Sequence, residues 1–91
     1  MNRSEILNAM VARAEKHMKR AGRFYNDYID TDNLDLQMHY HDEEYREIAL
    51  AYEDMNALAD MGVIREEEID VLMKPMFNIY MSRRYVKDED N

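Results

Sequence analysis

The sequence predicts an all-α fold, namely a long antiparallel helical hairpin followed by a third, Pro-broken helix. Its 91 residues contain two glycines and one proline, too few for the turns of a many-stranded fold. Apolar residues recur at alternating spacings of four and three over two long stretches, which is the period of helix pairing. The length allows one core, so we expect residues 1–86 to form a single helical domain and residues 87–91 an acidic C-terminal tail.

The first helix is predicted to run from about Ser4 to Ile29. Asn2, followed three residues later by Glu5, has the form of a capping box, and Ser4 is a rival N-cap. The polar sequence DTDN, residues 30–33, then gives a turn of the length that joins antiparallel helices. The packing seam predicted for this helix comprises Leu7, Val11, Ala14, Met18, Ala21, Tyr25 and Tyr28.

The second helix is predicted from about Leu34 to Met61, where Gly62 fits a C-terminal cap and Val63 its apolar contact. The seam predicted for it comprises Leu34, Met38, His41, Tyr45, Ile48, Tyr52 and Met55. A second apolar strip comprises Leu36, Leu50, Ala51, Ala57 and Leu58. We expect the third helix to cover this strip and complete a three-helix bundle, and the alternative is a second copy of the chain.

The third helix opens with the acids of residues 66–68, which suit the positive end of a helix dipole. Pro75 is predicted to kink this helix or to begin a further one as its first residue. The apolar face comprises Ile69, Leu72, Met73, Met76 and Tyr80. Residues 76–86 carry more large apolar side chains than one helical face can bury. Some of them are therefore predicted to serve as interface anchors. The alternative is that a kink at Pro75 rotates the end of the helix and buries them against the hairpin.

The charge is strongly acidic and unevenly placed, with a net value of -8. Residues 1–29 hold six basic and three acidic residues, whereas residues 30–61 hold one basic residue and ten acids. This balance argues against direct nucleic-acid binding, which needs a positive field. The absence of cysteine excludes disulfides and thiolate zinc sites. Because the chain shows neither a signal-peptide start nor an apolar run of membrane-spanning length, we expect a cytoplasmic location without membrane contact.

The sequence QMHYHDEEYREIA, residues 37–49, comes closest to a chemical motif. His39 shares a helical face with Asp42 and Glu43, but it lacks a metal-binding signature, and His41 falls on the predicted seam. The chain also lacks a nucleophile motif and a glycine-rich phosphate loop. We therefore predict no metal, no cofactor and no enzymatic activity.

The acidic helix suggests a protein that blocks a basic site on a partner. Carboxylates one helical turn apart stand roughly 6 Å from each other and can imitate successive phosphates. The predicted partner-binding residues are Glu43, Glu47, Glu53 and Asp54, with Tyr80, Arg84 and Tyr85 as anchors. Small phage inhibitors such as anti-CRISPR and anti-restriction proteins share this size and acidity, which is an analogy of shape and charge. The alternative is that these acids are only solvated by water and keep the protein soluble.

A basic row on the first helix supports a different hypothesis. Its members are Arg13, Lys16, Arg20 and Arg23, predicted to lie opposite the seam and to face outward. Such a row could bind a nucleotide or another anion in an oligomeric sponge. It could also pair with the acidic helix of a second copy in a structural homo-oligomer, or form an ordinary solvated face.

Overall fold

The computed structural model describes residues 2–84, which form three α-helices and, within that range, no strand. They are α1 (Arg3–Asp30), α2 (Leu34–Asp60) and α3 (Glu68–Arg83). The helices α1 and α2 form the antiparallel hairpin, and α3 packs against both. The predicted all-α three-helix bundle is therefore confirmed. The predicted acidic tail lies outside the described residues.

Asparagine side chains start both helices of the hairpin. Oδ1 of Asn2 accepts the Glu5 backbone N–H at 2.9 Å, and its Nδ2 donates to Oε1 of Glu5 at 2.7 Å. This is the predicted capping box, and it begins α1 at Arg3. After a three-residue turn, Oδ1 of Asn33 accepts the N–H of Leu36 at 3.0 Å and begins α2.

The C-terminus of α2 is closed by the predicted glycine cap. Gly62 adopts φ 73°, a left-handed conformation that side chains disfavour. The N–H of Val63 donates to the carbonyl of Leu58 at 2.9 Å, and that of Gly62 donates to Ala59 at 3.0 Å. These two bonds form a Schellman motif, and burial of both Val63 and Leu58 supplies its apolar contact.

The third helix runs through Pro75 as one element, so the prediction that Pro75 begins a further helix is wrong. It begins at Glu68, whose Oε1 accepts the backbone N–H of Arg65 at 3.0 Å. Pro75 lacks the N–H that would bond to the carbonyl of Val71, but both residues are exposed, Val71 by 69%. Water can bond to that carbonyl, so the helix tolerates the proline.

The core lies where α3 covers the hairpin. Three residues of the predicted α1 seam, Ala14, Met18 and Ala21, have no exposed surface. The second apolar strip of α2 contributes Ala51 and Leu58 to the core. The other buried core residues are Met55, Val63, Ile64, Ile69, Met73 and Met76.

The predicted seam of α2 is wrong over its first half. Leu34, Met38 and Tyr45 are exposed by 68%, 61% and 63%. The α2 side chains that turn into the bundle lie one position earlier, which corresponds to a rotation of about 100°. They are Tyr40, Glu44 and Glu47. Farther along, the predicted seam is correct, since Met55 is buried and the Tyr52 ring meets that of Phe77 on α3.

The end of α3 approaches α1 very closely at Gly22. A Cβ atom at that position would lie 2.5 Å from Cβ of Arg83 and 2.8 Å from the carbonyl oxygen of Tyr80. One turn later, Nδ2 of Asn26 donates to the carbonyl of Arg83 at 2.7 Å. The described part of α3 ends there, and in the described range 27–43 no residue is buried. We call residues 27–45 the hairpin tip.

Candidate functional site

The two residue sets predicted as separate sites meet between α1 and α2. Arg13 binds Asp54 through Nε, at 3.0 Å from Oδ1 and 3.1 Å from Oδ2, and through a second nitrogen. Nδ1 of His17 lies 2.6 Å from Oε2 of Glu47, and a guanidinium nitrogen of Arg20 lies 4.0 Å from Oε1. We call this group the interhelical charge layer. It links the two helices where an apolar seam was expected.

Two of the predicted partner-binding acids are therefore not on the surface. Asp54 and Glu47 are buried, and Arg13 and Arg20 on α1 compensate their charge within the bundle. Glu53 is exposed, and the half-buried Glu43 lies 3.9 Å from Arg46 on the same helix. The expectation that the acids predicted for partner binding lie on the surface of α2 is therefore wrong for Glu47 and Asp54.

The basic row is divided in the same way. All four cations are exposed, as the sequence predicts, but Arg13 and Arg20 also contact carboxylates on α2. The hydrogen bonds and the charge of Asp54 raise the pKa of the Arg13 guanidinium. Lys16 and Arg23 are exposed on the outer side of α1. An anion that bound to this row would therefore have to compete with carboxylates of the same chain for two of the four cations.

The predicted anchors on α3 make contacts within the chain. The hydroxyl of Tyr80 donates to Oε2 of the buried Glu44, and burial, then this bond, raises the pKa of the Tyr80 phenol. The guanidinium carbon of Arg84 lies 3.6 Å from the centre of the Tyr25 ring. Tyr85 lies outside the described residues. Tyr80 and Arg84 thus fix the end of α3 to the hairpin.

The most conspicuous uncovered surface is the hairpin tip. Among its apolar side chains, Ile29, Leu34, Leu36, Met38 and Tyr45 are exposed. The tip carries seven acids, of which Glu44 is buried and the other six are at least partly exposed. The sequence has no lysine or arginine between Arg23 and Arg46. The tip therefore combines exposed apolar surface with a concentrated negative charge.

Aromatic rings line one side of the tip. The ring centroid of His41 lies 5.8 Å from that of Tyr28 and 4.8 Å from that of Tyr45. The Tyr28 ring lies 6.4 Å from that of Tyr25, which extends the series toward the end of α3. A pocket of about 310 Å³ opens beside these rings. It is lined by Tyr28, Leu34, Gln37, Met38, His41 and Asp42.

The two histidines of the tip contact aromatic rings. His39 lies against Tyr40, with ring centroids 5.5 Å apart, and His41 lies between two tyrosines. Within residues 2–84, no three metal-binding side chains come together in a way that could hold an ion. Over the same residues, none of the helices is both long enough and apolar enough to cross a membrane.

Comparisons with known proteins give no relative for this chain. No family model, no curated protein and no solved structure matches it.

Sequence reasoning missed the tip as a site, although two signals for it are present. One is the stretch without cations between Arg23 and Arg46. The other is the row Leu34, Met38, His41 and Tyr45, whose helical spacing predicts a buried seam. Locating it on the surface requires knowing where α3 ends.

Proposed function

We propose that the protein is a non-enzymatic interaction protein that docks onto a basic protein partner through its hairpin tip. The observation that carries this proposal is the coincidence, at the tip, of exposed apolar side chains with six acids that are at least partly exposed and no lysine or arginine. Exposed apolar surface rimmed by polar residues is typical of interaction sites. Because the rim is negatively charged, it favours a partner with a positively charged surface.

The partner that fits this surface has an apolar or aromatic patch bordered by lysine and arginine. Protein sites that bind nucleic acids have this composition, since they combine cations for the phosphates with rings for the bases. A protein that covers such a site would compete with the nucleic acid and act as an inhibitor. The exposed acids would contribute to the rate and specificity of association, and the apolar centre would contribute most of the affinity.

The proposal can be tested with tip variants and a matched control elsewhere on the surface. Met38→Ser and Tyr45→Ser remove exposed apolar side chains from the tip, whereas Val71→Ser removes an equally exposed one from α3. Immobilised wild-type and variant proteins would be exposed to nuclease-treated lysate of the source cell. Candidate partners would then be purified and their affinities measured at low and high salt.

We expect a purified partner with a basic surface to bind wild type and Val71→Ser equally. Its affinity should fall at least tenfold with either tip variant, because buried anchors dominate interface energies, and should weaken as salt rises. A partner whose affinity is unchanged by both tip variants would contradict the proposal. A partner lost equally with Val71→Ser would place the interface on α3 instead.

A further inference from the structure

We propose that the pocket of the hairpin tip receives an arginine side chain from the partner. This inference rests on the proposed function and deepens it, since it states which chemical group the tip would recognise. The pocket volume of about 310 Å³ lies at the small end of the range of roughly 300–1,000 Å³ typical of ligand sites. It suits a single long side chain better than a nucleotide.

The walls of the pocket suit the apolar stem of such a side chain. Leu34 and Met38 lie one turn apart on α2 and both are largely exposed, so a methylene chain placed between them would remove apolar surface from water. Methionine adapts its shape to an incoming group, because its side chain is unbranched and flexible.

The polar groups of the pocket favour a positively charged donor. Nε2 of Gln37 donates to the carbonyl of Thr31 at 2.7 Å, which leaves the Gln37 amide oxygen as an acceptor. Asp42 adds a carboxylate. Among the described residues that line the pocket, none is a lysine or arginine. A guanidinium would supply the missing charge and bind the carboxylate through two parallel hydrogen bonds.

The aromatic rings favour arginine over lysine. The rings of Tyr28 and His41 line the pocket, and a planar guanidinium stacks on such faces better than an ammonium does. The chain already shows this contact next to the pocket, where the guanidinium carbon of Arg84 lies 3.6 Å from the centre of the Tyr25 ring. The Tyr25 and Tyr28 rings are 6.4 Å apart, so an arginine in the pocket would add a second stack to the same series.

The test is a nuclear magnetic resonance titration of the isotope-labelled protein with N-acetyl-arginine amide at millimolar concentrations. The control ligand is N-acetyl-citrulline amide, which has the same shape without the charge. We expect saturable shifts of the Leu34, Met38 and Asp42 amides with the arginine compound, and binding about tenfold weaker with citrulline. The variant Asp42→Asn should weaken arginine binding by a similar factor.

The matched control variant is Asp35→Asn, which removes one exposed acid of the tip outside the pocket lining. Arginine binding should survive it within about twofold, since exposed charges are screened. Equal shifts with citrulline, equal losses with both variants, or no saturable shift would each overturn the arginine proposal. Because no partner protein is used, these outcomes leave the docking of the tip to be judged separately by Met38→Ser and Tyr45→Ser.

Discussion

Arg13 on α1 and Asp54 on α2 form an ion pair that joins the two helices of the hairpin. The arginine side chain is largely exposed to water, whereas the aspartate side chain is buried. The Asp54 side chain is 5% exposed and that of Arg13 is 60% exposed. The carboxylate is therefore the group whose burial must be compensated, and the guanidinium can return to water at little cost. The same asymmetry applies to Arg20 and Glu47, whose side chains are 58% and 11% exposed.

We expect Arg13→Ala to destabilise the fold by about 1–2 kcal/mol, because it leaves the buried Asp54 carboxylate without its main hydrogen-bond donor. The free energy of unfolding in urea measures the effect. Lys16→Ala removes an exposed cation from the same row and should change stability by no more than about 0.5 kcal/mol. Equal losses with the two variants would show that the row acts through its overall charge and not through the Asp54 contact.

Local signals predicted the helices and their ends well. Asn2 with Glu5, and Gly62 with Val63, act over a few residues, so their chemistry can be read from neighbouring positions. The orientation of α2 could not be predicted in this way. Asp54 is buried because a cation from α1, distant in sequence, reaches it, and neither residue alone indicates that pairing.

The exposure of the tip could not be predicted from the sequence either. Leu34 and Met38 have the spacing of a packing seam, and they would be covered if α3 reached them. The described part of α3 ends beside Gly22 and Asn26, and this position depends on three-dimensional contacts. The periodicity correctly predicts an apolar stripe, but whether the stripe is buried depends on the length and placement of another helix.

The close contact at Gly22 predicts that Gly22→Ala destabilises the protein. Alanine in place of glycine would normally stabilise a helix interior by about 1 kcal/mol. Here the added methyl meets the carbonyl oxygen of Tyr80 and Cβ of Arg83, and overpacking costs about 1–3 kcal/mol. The two effects together give an expected net loss of up to about 2 kcal/mol in chemical denaturation.

The control for Gly22 is Ala9→Gly at an exposed position of α1, which measures helix propensity without a packing contact. It should cost about 1 kcal/mol. If Gly22→Ala instead stabilises the protein by a similar amount, α3 does not approach α1 as described.

Truncation of an apolar side chain should leave the free energy of unfolding nearly unchanged at the tip and lower it in the core. Met38→Ser should leave the free energy of unfolding within about 0.5 kcal/mol of wild type, since Met38 is largely exposed. Met55→Ala should cost about 2–5 kcal/mol, because Met55 is fully buried. Thermal and urea unfolding of both variants would check this. A large loss with Met38→Ser would show that the tip is covered in solution.

Tyr80 predicts a loss of stability in alkaline solution. Burial, followed by the bond to the Glu44 carboxylate, raises the pKa of its phenol above the ordinary value of 10.0. The folded chain therefore holds this proton more tightly than the unfolded chain does. The resulting stabilisation is complete below pH about 10 and declines above it, where the unfolded tyrosine ionises.

The measurement is a phenolate absorbance titration beside unfolding curves at increasing pH. In Tyr80→Phe, the last phenol to ionise should disappear, and the alkaline decline should become shallower. A Tyr80→Phe protein with the same decline as wild type would contradict this assignment. Tyr45→Phe is the control, because its ring is largely exposed.

The absence of buried residues in the described range 27–43 has a consequence for motion. Helices draw most of their stability from packing, so this end of the hairpin should open locally far more often than the end covered by α3. Backbone amides of residues 36–43 should exchange their hydrogens with solvent faster than those of residues 51–58 on the same helix. A docked partner would suppress these openings, so part of its binding energy would be spent on ordering the hairpin.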